Sequence, residues 1–116
     1  MANAEEFYKR GLEYVKQGNI DLALEETNQA IAINPKYWQA YQQRAGLLYS
    51  MGDYDSAISD STKALEIEPR DGLSYGYRGC SYYMKEEDDK AKKDLLMALS
   101  IHPDLDFALE TLQKIP

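Results

Sequence analysis

The chain has 116 residues, 44% of them hydrophobic, which supports one globular domain and is too little for several. With 20 acidic residues against 13 basic ones the net charge is -7, so the phosphate backbone of nucleic acid is repelled on average and no nucleic-acid partner is expected. No apolar run approaches the roughly 20 residues of a membrane span and the N-terminal MANAEEFYKR has no hydrophobic signal core, so no membrane partner is expected either.

Asn3 followed by Glu6 has the spacing of a capping box, in which each side chain satisfies a backbone donor at a helix start. A first helix then runs to about Gln17 and breaks at Gly18-Asn19, since glycine accepts the left-handed conformation that closes helices and Asn19 or Asp21 can cap the next one. A second helix carries Ala23, Ala30, Ile31 and Ile33 and stops before Pro35, which lacks an amide hydrogen and disfavours helix in the residue before it. Tyr41 to Pro69 repeats this plan with Gly52-Asp53 at the turn. A third copy keeps Pro103 but has Glu86 in the glycine slot, inside Lys85-Glu86-Glu87-Asp88-Asp89-Lys90. A positive φ at Glu86 costs on the order of 1 kcal/mol relative to glycine, which makes the third turn the expected most mobile one. After Pro103, Leu105, Leu109 and Leu112 fall at helical spacing and predict a seventh helix over Asp104 to Ile115, capped by Asp104, with Glu110 and Lys114 facing solvent or the groove mouth.

The three copies align at one offset, the roughly 34-residue length of a helix-turn-helix repeat. Phe7, Tyr41 and Tyr75 share a slot, as do Gly11, Ala45 and Gly79; Tyr14, Leu48 and Tyr82; Ala23, Ala57 and Ala91; Ala30, Ala64 and Ala98; Ile33, Ile67 and Ile101; and Pro35, Pro69 and Pro103. Two antiparallel helices approach closely only where a side chain is small, so the Gly11/Ala23, Ala45/Ala57 and Gly79/Ala91 pairs make room for the aromatic slot. Ile31, Leu65 and Leu99, with the isoleucine slot, are expected to be buried against the next repeat, each contributing roughly 1.5–3 kcal/mol. Arg10 with Glu26, Arg44 with Asp60 and Arg78 with Asp94 recur once per repeat and predict three bridges, each joining the helices of one hairpin through two charge-assisted bonds.

These positions together resemble the tetratricopeptide repeat family over essentially the whole chain. The resemblance implies an all-α fold, a right-handed α-solenoid of three helix-turn-helix repeats (4–37, 38–71 and 72–105) closed by a capping helix over 104–115, in a single domain spanning 1–116. Departures are Glu86 in place of glycine and the three arginines, where many members have leucine. In the family, the first helices of the repeats line a concave groove that holds a peptide segment of a partner protein. Helical spacing then puts Glu5, Tyr8, Leu12, Val15 and Lys16 on that face, with Gln39, Gln42, Gln43, Gly46, Tyr49 and Ser50 from the second repeat and Leu73, Gly76, Tyr77, Cys80, Tyr83 and Met84 from the third. This lining is aromatic, amide-rich and nearly uncharged. Gly46, Gly76 and Cys80 are its expected depressions for apolar anchors, and Gln39, Gln42 and Gln43 its donors to a peptide backbone.

The chain also resembles heat-shock co-chaperone domains in repeat number and capping helix. Those domains grip an acidic C-terminal tail with lysines, asparagines and an arginine; the matching positions here are Tyr8, Leu12, Gln43, Leu73 and Tyr77, without a cation. A strongly acidic C-terminal tail is therefore not the expected partner. The expected role is an interaction module, adaptor or scaffold for a protein or peptide partner; the alternatives are a homo-oligomeric, self-stacking unit and, behind it, a heat-shock co-chaperone type domain. No enzyme is expected. The lone His102 sits beside Pro103 in a loop, and Cys80 has no histidine on its face to serve as base. The acidic run from Glu86 to Asp89 lacks calcium-loop spacing, so no cofactor or metal is expected. A single cysteine can make no internal disulfide and fits a reducing compartment, giving a cytoplasmic expectation.

Overall fold

The computed structural model describes residues 2–116, which form seven helices and no strand. They are α1 (Ala4–Lys16), α2 (Ile20–Ile33), α3 (Trp38–Ser50), α4 (Tyr54–Ile67), α5 (Gly72–Met84), α6 (Asp88–Ile101) and α7 (Asp106–Gln113). Side-chain caps start four of them: Asn3, Asn19, Asp53 and Asp71 each accept the amide three residues on, at 2.9 to 3.3 Å. Within each hairpin the chain reverses through one left-handed residue, Gly18 (φ 74°), Gly52 (φ 82°) and Glu86 (φ 63°). A Cβ is tolerated there at a cost, so Glu86→Gly is expected to raise the unfolding free energy by about 1 kcal/mol and Gly52→Ala to lower it by a similar amount, as read by urea denaturation.

The seventh helix starts at Asp106 behind Leu105, which provides no side-chain cap; Asp104 is not the cap expected of it. The reason lies in the preceding turn. The Leu105 amide donates to the His102 carbonyl (3.1 Å), as Tyr37 does to Asn34 (3.0 Å) and Asp71 to Glu68 (3.1 Å). The three turns after Pro35, Pro69 and Pro103 thus share one geometry, and α7 takes up the register of α3 and α5.

Along the stack, α1 touches α3, α3 touches α5 and α5 touches α7, while no contact joins α2 to α4 or α4 to α6 among the described residues. A stack that is tighter on one side curves toward that side, so α1, α3, α5 and α7 line the inner wall of a body 50 × 26 × 24 Å across. The small slots make the tight approach possible. Ala23, Ala30, Ala45, Ala57, Ala64, Ala91 and Ala98 have no exposed surface, and a Cβ on Gly79 would come within 2.8 Å of Leu95 and 3.2 Å of the Ala91 carbonyl. Ile33 departs from the pattern expected of its slot, being 49% exposed. It ends α2, and Tyr37 and Ala40 of the next repeat pack instead on Ala30 and Ile31.

Two of the three expected bridges form. Arg44 donates from Nε to Asp60 Oδ2 (2.6 Å) and from Nη2 to Oδ1 (2.9 Å); Arg78 does the same with Asp94 (2.7 and 2.9 Å). The remaining nitrogen of each reaches back to the preceding hairpin, Arg44 to Asn28 Oδ1 (3.0 Å) and Arg78 to Thr62 Oγ1 (3.2 Å), so one guanidinium ties three helices. Hydrogen bonds donated to these carboxylates, with the carboxylate charge behind them, raise both arginine pKa values above their ordinary value. Arg10 forms no such bridge. It lies 5.3 Å over the Phe7 ring, exposed, while Glu26 Oε2 is buried without a partner. Glu26 is one methylene longer than the aspartates at 60 and 94, which changes where its carboxylate falls relative to the guanidinium.

Candidate functional site

On the inner wall α1, α3 and α5 enclose a depression of about 270 Å³ lined by Tyr8, Leu12, Val15, Ile20, Gln42, Gln43, Gly46, Leu47, Ser50, Leu73 and Tyr77. Leu12 and Val15 are 37% and 40% exposed, so the mouth of this depression is apolar and open. Helical spacing had pointed to most of these residues; Ile20 and Leu47 escaped it because neither lies on the concave stripe of a first helix. Lys16, Gln39, Tyr49, Tyr83 and Met84 do not line this depression.

Packing corrects the expected depressions. A Cβ on Gly46 would lie 2.8–3.0 Å from the Tyr77 ring, and one on Gly76 would lie 2.9–3.0 Å from the Phe107 ring. Each glycine is thus filled by an aromatic of the next first helix, and the two rings stack at 5.5 Å and 16°. Cys80 is 1% exposed and donates to Thr111 Oγ1 on α7 (3.2 Å), so it belongs to the α5–α7 seam and not to the groove surface. Burial pushes its thiol pKa up, against the smaller lowering by hydrogen bonding with Thr111 and Tyr49. The signal that could have found this was in the chain: Gly46 to Tyr77 and Gly76 to Phe107 have the same spacing, as does Cys80 to Thr111.

Two of the three amides expected to serve a ligand backbone are also occupied. Gln43 is 8% exposed; its Oε1 accepts from Thr27 (2.6 Å) and its Nε2 donates to the Tyr8 carbonyl (3.4 Å). Gln42 Nε2 donates to Asp71 Oδ1 (2.8 Å) across the α3–α5 boundary. Asp71 precedes α5, so the helical spacing of that helix does not single it out. It is 5% exposed, and it also accepts from the Ser74 amide (3.2 Å) and hydroxyl.

Four ring hydroxyls along this wall have raised pKa values. Burial is the first cause at Tyr8, Tyr37, Tyr49 and Tyr77; Tyr37 and Asp71 add to it at Tyr8, and Asp71, Tyr8 and Cys80 at Tyr77. A phenol whose folded pKa is above its unfolded value of 10.0 stabilises the fold fully below pH 10, and this stability is lost as pH rises through the folded value. The tyrosine contribution to the unfolding free energy is therefore expected to be lost as pH rises above ~10, with a shallower fall in that range in Tyr77→Phe, measured by urea denaturation across pH.

An array of stacked helical hairpins with a curved inner wall is the architecture of a repeat solenoid. The chain belongs to the tetratricopeptide repeat family, whose sequence pattern matches residues 4–37 and again 39–71. The first TPR of Spaghetti (RPAP3), solved bound to the HSP90 peptide SRMEEVD, superposes with a TM-score of 0.90 at 25% identity, over 97% of this chain and 90% of that one. The first TPR domain of human RPAP3 gives 0.87 at 25% identity over 97% and 88%. YrrB, a TPR protein with an unusual peptide-binding site, gives 0.84 at 30% identity; the alignment covers 97% of this chain but 58% of YrrB. No match is found among curated proteins. Among the described residues no helix is long and apolar enough to cross a membrane.

Proposed function

We propose that the chain, taken as one domain over 1–116, is a protein-interaction module that holds a peptide segment of a partner on its inner wall. The observation that carries this reading is the open apolar depression between α1, α3 and α5, where Leu12 and Val15 remain exposed while every neighbouring small-residue slot is filled from within. Peptide-bound relatives such as the first TPR of Spaghetti support the same use of the fold. Tyr8, Leu12, Leu73 and Tyr77 offer anchor surface, and Gln39, which makes no side-chain hydrogen bond among the described residues, is the amide left for a ligand backbone. Nothing in this wall grips a terminal carboxylate, and Asp71 repels one.

A peptide array probed with the labelled chain tests the reading, alongside a Leu12→Glu, Val15→Glu variant. Both substituted residues are exposed, so the fold should survive, as circular dichroism can verify. Spots retained by the native chain are expected to weaken at least roughly tenfold with the variant, since two carboxylates would enter an apolar contact. Equal retention would move the site off this wall. SRMEEVD is expected to give no measurable binding. A second reading, end-to-end self-association, has the exposed Leu96, Met97 and Leu109 of α6 and α7 in its favour, and light scattering across concentration would reveal it.

A further inference from the structure

At the end of the inner wall where α3 and α5 begin lies a second cavity of about 530 Å³. It shares Gln42 and Leu73 with the first depression, so the two adjoin along one trough-shaped face of the wall. Its wall includes the ring of Trp38 and three carboxylate residues, Glu68, Asp71 and Asp104. Arg70 is the one cation of the lining, and it is exposed at the rim.

Asp71 is the informative member. Its side chain is nine-tenths or more buried, and every donor it meets is neutral: the Gln42 amide, the Ser74 amide and the Ser74 hydroxyl. No lysine or arginine forms an ion pair with it among the described residues, whereas the other buried aspartates, Asp60 and Asp94, each carry a bidentate arginine. A buried carboxylate without a counter-ion is costly unless something neutralises it. The start of α5 supplies part of that compensation, but capping alone does not account for the Gln42 bond, and Trp38 lines the same cavity as Asp71. The equivalent turns place Asn3, Tyr37 and Leu105 in the same position, so the charge is not a requirement of the turn.

We infer that this end of the trough receives a basic side chain, arginine or lysine, of the bound peptide, held between the Trp38 ring and the Asp71 carboxylate while apolar neighbours of that side chain occupy the depression around Leu12 and Leu73. A guanidinium or ammonium against an indole face and a desolvated carboxylate gains from both contacts. The net charge of -7 favours the approach of a basic segment over an acidic one. The inference rests on the peptide-holding reading above and names the chemistry of its partner.

A phage-displayed random heptapeptide library selected on the full chain tests it, with parallel selections on Asp71→Asn and on Glu25→Gln. Asparagine keeps the cap oxygen for the Ser74 amide and for Gln42, so Asp71→Asn removes charge and retains the helix start. Glu25 lies exposed on α2 and controls for loss of one negative charge anywhere. The expected result is arginine or lysine enriched roughly tenfold at one fixed position beside an apolar residue, with that enrichment kept in Glu25→Gln and lost in Asp71→Asn. Selected peptides without a positioned basic residue, or with one that survives Asp71→Asn, would overturn the inference and leave the groove reading standing. Failure of any peptide to enrich would overturn both. The intrinsic fluorescence of Trp38, the sole tryptophan, gives a second readout: a selected peptide should quench or shift it, and the same peptide with citrulline for arginine should bind about tenfold more weakly.

Discussion

Arg78→Met is expected to destabilise the fold by about 3 kcal/mol, while Arg10→Met leaves it within about 0.5 kcal/mol. The difference follows from what each guanidinium holds. Arg78 and Asp94 have side-chain exposures of 21% and 7%, and methionine would leave the Asp94 carboxylate buried without either of its two donors. The link to Thr62 on the preceding hairpin goes with it. Arg44→Met should behave similarly, a little more weakly, because that pair is 26% and 10% exposed. Arg10 lies over the Phe7 ring and makes no salt bridge among the described residues. Urea denaturation of the three single variants separates two causes, since all three arginines also lie 5.3–5.8 Å over an aromatic ring of their own helix. Equal losses in all three would assign the stability to those ring contacts and sink the carboxylate bridge as its source.

Gly76→Leu is expected to detach α7 at a cost of about 2–3 kcal/mol. A Cβ there falls 2.9–3.0 Å from Phe107 and 3.2 Å from Leu105, and the rest of a leucine needs space that the ring occupies. Phe107 is also stacked on Tyr77, which fills Gly46, so the disturbance runs along the inner wall. Ala108, fully buried, and the Cys80–Thr111 contact lie in the same seam. Thiol labelling of Cys80 reports the outcome directly: the native chain protects it, and Gly76→Leu should be modified roughly tenfold faster as the seam opens. Unchanged labelling would mean that α7 stays docked around the added side chain. Gly18→Ala makes the contrast, because nothing lies near its Cβ position and its cost comes from a φ of 74° alone.

The seven helices, the left-handed turn residues and the buried alanine slots were legible in the sequence, because each follows from local chemistry repeated at one spacing. A glycine or a proline acts on the two or three residues around it, and a slot that recurs three times states its own steric need. The family, and with it the solenoid architecture, came from the same register. What only the tertiary structure decided concerns contacts between repeats. Gly46 and Gly76 read as hollows in a single helix, yet the next helix places Tyr77 and Phe107 in them; Cys80 reads as exposed on its own helical wheel, yet α7 covers it. Arg10 and Glu26 have the spacing of a bridge, yet Arg10 lies over the Phe7 ring and Glu26 Oε2 is buried without a partner. Asp71 lies outside the helical stripe that the sequence period picks out, and its place in the inner wall arises only when α3 brings Gln42 against it. A helix determines its own faces through its sequence period, but which face stays open is settled by the side chains that the neighbouring helix delivers.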